Sequence, residues 1–159
     1  MHVYFMSRSK MLDYVNNNLC LDNGVDIVSI SDTHSEARTV SRQWRAANVH
    51  PVNAAVFLKF ADVEEPSQGM TTEQATRIVN FVDVTVRKKK VLVVHCFAGI
   101  SRSGAVAKFV NDYYLLGDAY LNDYVGYNLH VYHTLMEAAS GLTLRSHYKA
   151  LKQEPGNEN

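Results

Sequence analysis

Within the stretch VLVVHCFAGISRSG, residues 91–104, stand Cys96, Gly99, Arg102 and Ser103, with His95 directly before the cysteine. Those residue types at those intervals suit the capture of a phosphate dianion. Such an anion needs several inward-pointing backbone N–H groups, a cation and the positive end of a helix. A loop of small residues running into a helix supplies the first and the last. Gly99 can take a backbone conformation closed to other residues, so the loop can curl until its amides converge. Arg102 adds a planar fork that matches two phosphate oxygens, which a lysine would do less well. Cys96, at the mouth of the same nest, gains from it: convergent amides, the helix N-terminus and Arg102 all favour the thiolate. The sulfur would then be a nucleophile at neutral pH without a dedicated base.

These residues resemble the signature of the protein tyrosine phosphatases, a His-Cys pair, five residues, then Arg followed by Ser or Thr, here HCFAGISRSG over residues 95–104. The short chain and the run Gly-Ile-Ser-Arg-Ser are most similar to the small dual-specificity-type phosphatases with their bacterial and viral relatives. The order of elements extends the likeness from about Val25 to Ala139. The resemblance implies that Cys96 attacks phosphorus and forms a cysteinyl phosphate, and that Arg102 binds phosphate in ground and transition states. It implies that Ser103 hydrogen-bonds the sulfur and eases its departure. His95 would orient the loop behind Cys96 and tune the thiolate. The amides of Phe97, Ala98, Gly99, Ile100, Ser101 and Arg102 would hold the oxygens. No metal or cofactor is implied, since backbone dipoles and Arg102 stabilise the transition state.

Expulsion of the alcohol oxygen calls for a carboxylic acid, worth typically ~10²–10⁴-fold. The resembled family carries it as an Asp on a loop a few dozen residues before the cysteine. Asp62 lies 34 residues before Cys96, after the apolar run VFLKFA and before the loop VEEPSQG. Glu64, Glu65 and Asp32, the last after VDIVSI, are the alternatives. Asn128 precedes an amphipathic stretch; the resembled phosphatases often carry an Asn packed behind the phosphate loop at such a place, and a plain helix cap reads equally well.

The elements that must position these groups follow from periodicity. Short β-branched or apolar runs predict strands at His2–Phe5, Val25–Ile30, Val56–Phe60 and Val91–Val94. A polar helix start falls near Ser7 or Ser9, and Ser31–His34 reads as a polar turn. Thr71 or Thr72 caps a helix that ends among Lys88–Lys90, with Ile78, Phe81, Val82 and Val86 on its buried face. A helix over Ser103–Leu116 is stopped by Gly117, and two more cover about Leu129–Ala139 and Leu144–Leu151. Strands separated by helices predict an α/β fold, a central mostly parallel sheet of about four to five strands flanked by helices. Ligands then bind beyond the carboxyl ends of the strands. Residues 1–152 suit one domain, and residues 153–159 a frayed tail.

Sixteen basic residues balance sixteen acidic ones in 159, so no global field draws the chain to nucleic acid or an anionic membrane. No basic stripe is apparent, which counts against RNA 5′-triphosphatase chemistry. The residues between Cys96 and Arg102 carry no charge, which counts against a highly anionic inositol head group. No apolar run reaches bilayer length, and MHVYFMSRSK lacks the features of a secretory signal. A reducing cytoplasm, a monomer and a phosphoprotein or phosphopeptide substrate are the expectations. Cys20 and Cys96 could form a disulfide under oxidation, although a buried structural cysteine is the simpler reading of Cys20. His130, His133 and Glu137 read as a helix face rather than a metal site. The tyrosines of residues 113–132 read as packing. The rival from another class is a phosphatase-like module that holds phosphoprotein without turning it over.

Overall fold

The strand β2 (Val25–Ser31) is buried along its whole length because it has a neighbour on each side and helices on both faces. The computed structural model describes residues 1–18, 24–47 and 53–153. Around β2 the chain runs β1 (Val3–Ser7), α1 (Arg8–Asn18), β2, α2 (His34–Ala47), β3 (Ala55–Lys59), α3 (Thr72–Arg87), β4 (Val91–Cys96), α4 (Ser101–Tyr113), α5 (Ala119–Asp123) and α6 (Leu129–Gln153). The four strands are ordered β1-β4-β2-β3 and every pairing is parallel. This is the α/β sheet that the alternation of strands and helices predicts.

Side-chain alternation along the strands divides the core. Val28 and Ile30 of β2 and Leu92 and Val94 of β4 point into a cluster with α3, α4 and α6, including Ile78, Phe109 and Leu135. Val25, Ile27 and Val93 point the other way, against Met11 of α1 and Val40 and Trp44 of α2. With both faces covered, each central strand reads as an almost unbroken apolar run. All four carboxyl ends lie at one edge of the sheet, where β4 delivers Cys96.

Several boundaries differ from the sequence reading. The sequence predicts a turn at Ser31–His34 and no element over the rest of α2, whose segment is rich in polar and charged residues and has a narrow apolar stripe. The short α5 was not predicted either. The loop of residues 97–100 enters α4 at Ser101, two residues earlier than predicted. The helix ends at Tyr113 because Leu115 and Gly117 both take left-handed backbone, with φ of 53° and 73°. The two stretches predicted after Leu129 are one helix, α6, whose last residue is Gln153, inside the segment read as a tail. Residues 154–159 and Cys20, with its suggested disulfide, lie outside the described residues.

Thr71 caps α3 through a reciprocal pair: its hydroxyl accepts from Gln74 N at 3.2 Å while Gln74 Oε1 accepts from Thr71 N at 3.0 Å. Lys90, read as one of three helix-end cations, is instead buried. Its Nζ lies 2.7 Å from Asp26 Oδ1, and Asp26 also accepts from Thr85 Oγ1 and Ala54 N. Among the described residues, no helix is long and apolar enough to cross a membrane.

Candidate active site

Cys96 closes β4, and residues 97–100 turn the chain into α4. Gly99 has φ of 72°, and a Cβ there would collide with the backbone of Met6 and Ser7 at the end of β1. Only glycine meets both demands. The end of β1 therefore forms the wall against which the loop curls. Arg8 N donates to Phe97 O at 3.4 Å, and the Arg8 guanidinium stacks on the Phe97 ring. The N-terminal segment, which the sequence resemblance does not reach, is thus part of the loop's support.

Cys96 is 2% exposed. Its sulfur lies 3.3 Å from Gly99 N, which donates to it, and 3.2 Å from the buried Ser103 Oγ. The helix α4 has no side-chain cap at Ile100, in contrast to the closed capping box of α3. Its first amides are therefore left without a side-chain acceptor at the cap.

Arg102 is 4% exposed and its donors can be counted. Nη1 donates to Asp32 Oδ1 at 2.7 Å and to Phe60 O at 2.8 Å, while Nη2 donates to Asp32 Oδ2 at 3.3 Å. A guanidinium has five N–H donors in a fixed plane. The end-on fork is taken by Asp32, and the side-on edge, Nε and the remaining Nη2 hydrogen, is left over. Nε makes no hydrogen bond although buried; Asp62 Oδ2 stands 3.9 Å away. Because Asp62 is itself tied to the loop, the unfilled edge faces the loop side. A buried unpaired donor is costly unless a ligand meets it.

Asp62 lies past β3 on the same rim, as predicted. Its Oδ1 accepts from Ser101 Oγ at 2.7 Å and Asn128 Nδ2 at 2.9 Å. Its other oxygen has no hydrogen bond among the described residues, and the side chain is 37% exposed. The alternatives are occupied elsewhere. Glu64 accepts from Leu129 N and His130 N, capping α6. Glu65 takes the Ser67 hydroxyl and forms a turn. Asp32 is the partner of Arg102. Asn128 fills both roles open to it: its Oδ1 accepts from Val131 N as a cap, and its Nδ2 holds Asp62 and Val63 O.

His95 lies under the loop, fully buried, and neither ring nitrogen has a hydrogen-bond partner. Burial lowers its pKa to about 4, the Cys96 main chain opposing the fall and the Arg8 charge adding to it. The ring is therefore neutral at pH 7. It supports the loop by packing beneath Cys96.

In the sequence Tyr124 is one packing tyrosine among several. Its hydroxyl donates to Ile100 O at 3.0 Å, and its ring lies 4.9 Å from that of Phe5 in β1. It pins the loop to the sheet from the outer side. Burial raises its pKa, with the Tyr120 and Cys96 charges adding, so the phenol keeps the proton it donates. No local signal in the sequence separates it from Tyr120 or Tyr127. His130 Nε2 lies 2.9 Å from Met70 O; among the described residues no group of three His, Cys, Asp or Glu is placed to hold a metal.

A parallel sheet that ends in a Cys-x₅-Arg loop, with an Asp from the preceding rim loop, is the fold of the cysteine-based tyrosine and dual-specificity phosphatases. Solved structures of that class superpose on the chain at low identity. PTPMT1 in complex with PI(5)P matches at 16% identity and a TM-score of 0.59, covering 91% of this chain and 94% of its own. DUSP15 matches at 19% and 0.55, covering 98% and 94%, and the PTP-2 phosphatase of Cydia pomonella at 18% and 0.56, covering 89% and 85%. No family model and no curated protein matches the sequence.

Proposed function

We propose that the protein is a cysteine-dependent phosphatase that hydrolyses phosphotyrosine in proteins and also accepts phosphoserine and phosphothreonine. The observation that carries this reading is the unfilled side-on edge of Arg102. Its buried Nε, unbonded among the described residues, faces a loop built round the Cys96 sulfur. A phosphoryl group seated there would accept from that edge and from the uncapped amides of α4.

In this reading the Cys96 thiolate attacks phosphorus and the P–O bond to the substrate breaks. Asp62 passes a proton from its unbonded oxygen to the leaving alkoxide or phenoxide. Water then attacks the cysteinyl phosphate, Asp62 takes a proton back, and Ser103, 3.2 Å from the sulfur, stabilises the departing thiolate. Exposed Phe97 and Ile100, at 61% and 55%, give the mouth an apolar rim suited to a phenyl ring. The absence of charge between Cys96 and Arg102 favours protein over inositol substrates, although PTPMT1 was solved with a phosphoinositide. A thiolate nucleophile fits a reducing compartment, so we place the protein in the cytoplasm, as a monomer.

Hydrolysis of an aryl phosphate by wild type, Cys96→Ser and Arg102→Lys tests this reading. Cys96→Ser should fall to background, and Arg102→Lys should lose at least about 100-fold in kcat. Equal rates in wild type and Cys96→Ser would refute an enzymatic role. A wild type that binds phosphopeptide without hydrolysing it would establish the binding-module alternative.

A further inference from the structure

The edge strand β3 lies in a groove of about 880 Å³ whose walls are cationic. Arg38, Arg42 and Arg45 line one side from α2, Arg77 lines the other from α3, and Ala55, Val56 and Phe57 form the floor. The four arginines are exposed. Among the described residues none of them has a carboxylate within ion-pair distance. The neutral sum of the chain hides this field, and the expectation that the protein has no basic stripe fails here. Arg38, Arg42 and Arg45 recur at helical intervals of four and three, on a segment the sequence reading did not recognise as a helix.

The floor of the groove is open backbone. Among the described residues β3 pairs only with β2, through Ala54 O to Ile27 N and Phe60 N to Ser31 O. In a parallel ladder residues of one parity bond to one neighbour, so the N–H and C=O groups of Ala55 and Phe57 point outward. Lys59 O, of the same parity, takes Gln74 Nε2 at 2.8 Å, which confirms the direction. Charges that guard an edge normally sit on the strand itself. Here the strand carries one charge, Lys59 at its end, and the other cations stand back on the helices.

We propose that this groove binds an acidic polypeptide segment in extended form, as an added strand on β3. Side chains of such a strand alternate, one set toward α2 and the other toward Arg77. Alternate residues of a strand are about 6.6 Å apart, and Arg38 and Arg42, one helical turn apart, stand at about 6 Å. Acidic residues at every second position therefore match the arginines on α2. A nucleic acid or a flat membrane would leave the outward amides and carbonyls unused, and the arginines flank a concave edge rather than a plane.

The groove also leads to the site. His34 lines both it and the adjoining cavity of Asp32, Lys59 and Phe60, and Asp32 and Phe60 O hold Arg102. A segment on β3 thus runs toward the phosphate loop. Resting on the phosphatase reading above, the groove selects phosphoproteins with an acidic stretch near the phosphorylated residue.

The test uses a short fluorescein-labelled peptide of alternating Glu and Thr, with anisotropy as readout. Arg38→Glu/Arg42→Glu/Arg45→Glu should weaken binding by about tenfold or more, and a Lys-Thr peptide should bind that variant better than wild type. Backbone N-methylation should abolish binding at residues of one parity only, a test that needs no variant. With a phosphotyrosyl peptide bearing the acidic extension, the triple variant should raise KM with kcat unchanged, and aryl phosphate hydrolysis should stay at the wild-type rate. If wild type does not hydrolyse aryl phosphate, the phosphatase reading falls while the binding arms still decide the groove. An unchanged affinity in the triple variant overturns the proposal. So does binding that is indifferent to N-methyl parity and is matched by oligouridylate or anionic vesicles.

Discussion

Asp32 holds the end-on fork of Arg102 through two hydrogen bonds of 2.7 and 3.3 Å, and so decides which edge of the guanidinium is free. A carboxylate considered as a general acid turns out to aim the arginine proposed to bind phosphate. Asp32→Ala leaves a buried guanidinium half unpaired and free to rotate. We expect kcat/KM on aryl phosphate to fall about 10–100-fold, while the basic limb of the pH–rate profile persists. Loss of that limb would mean that Asp32 is the proton donor.

The same profile should single out Asp62. With Asp62→Asn the rate on poor leaving groups should drop about 10²–10⁴-fold and lose its basic limb. A highly activated aryl phosphate, which needs little protonation, should be much less affected. A profile identical to wild type would remove Asp62 from the mechanism.

His95 makes a prediction about stability. Its pKa is about 4 in the fold against an ordinary 6.5, so between those values the unfolded chain binds more protons. Stability is therefore complete above about pH 6.5 and declines as pH falls, by roughly 3 kcal/mol once pH reaches about 4. Urea unfolding of wild type and His95→Leu at several pH values checks this. The variant should lose less stability over that window, and because neither ring nitrogen has a partner it should be no less stable in acid. Parallel curves would contradict the account.

The buried pair of Lys90 and Asp26, at 2.7 Å, pins the start of β4 to β2. Lys90→Met alone strands a buried carboxylate and should cost about 3–5 kcal/mol. Lys90→Met with Asp26→Leu should be milder than the single change. A single variant with wild-type stability in urea would refute this.

Much of the chemistry was legible because it is local. Cys96, Gly99, Arg102 and Ser103 lie within eight residues, and a strand, a small-residue loop and a helix start can be read there together. Asp62, expected from the resemblance and from its place after a strand, does lie on the same rim, tied to Ser101 of the loop. What stayed hidden depends on contacts distant in sequence. Nothing near Asp32 shows that it meets Arg102, seventy residues on. Nothing near Glu64 shows that it caps α6, or near Tyr124 that it reaches Ile100 O. The α2 stripe was hidden by its own charge, since arginines at helical spacing produce little apolar periodicity until Val40 and Trp44 find the sheet.

The central claim is that Cys96 itself receives the phosphoryl group. Rapid acid quench during turnover of an aryl phosphate, followed by peptide mass spectrometry, tests it directly. One added phosphoryl group is expected on the peptide containing Cys96, accumulating further in a variant slowed at Ser103 and absent in Cys96→Ser. Turnover with no modified Cys96 peptide, or a phosphoryl group found on another residue, would contradict it.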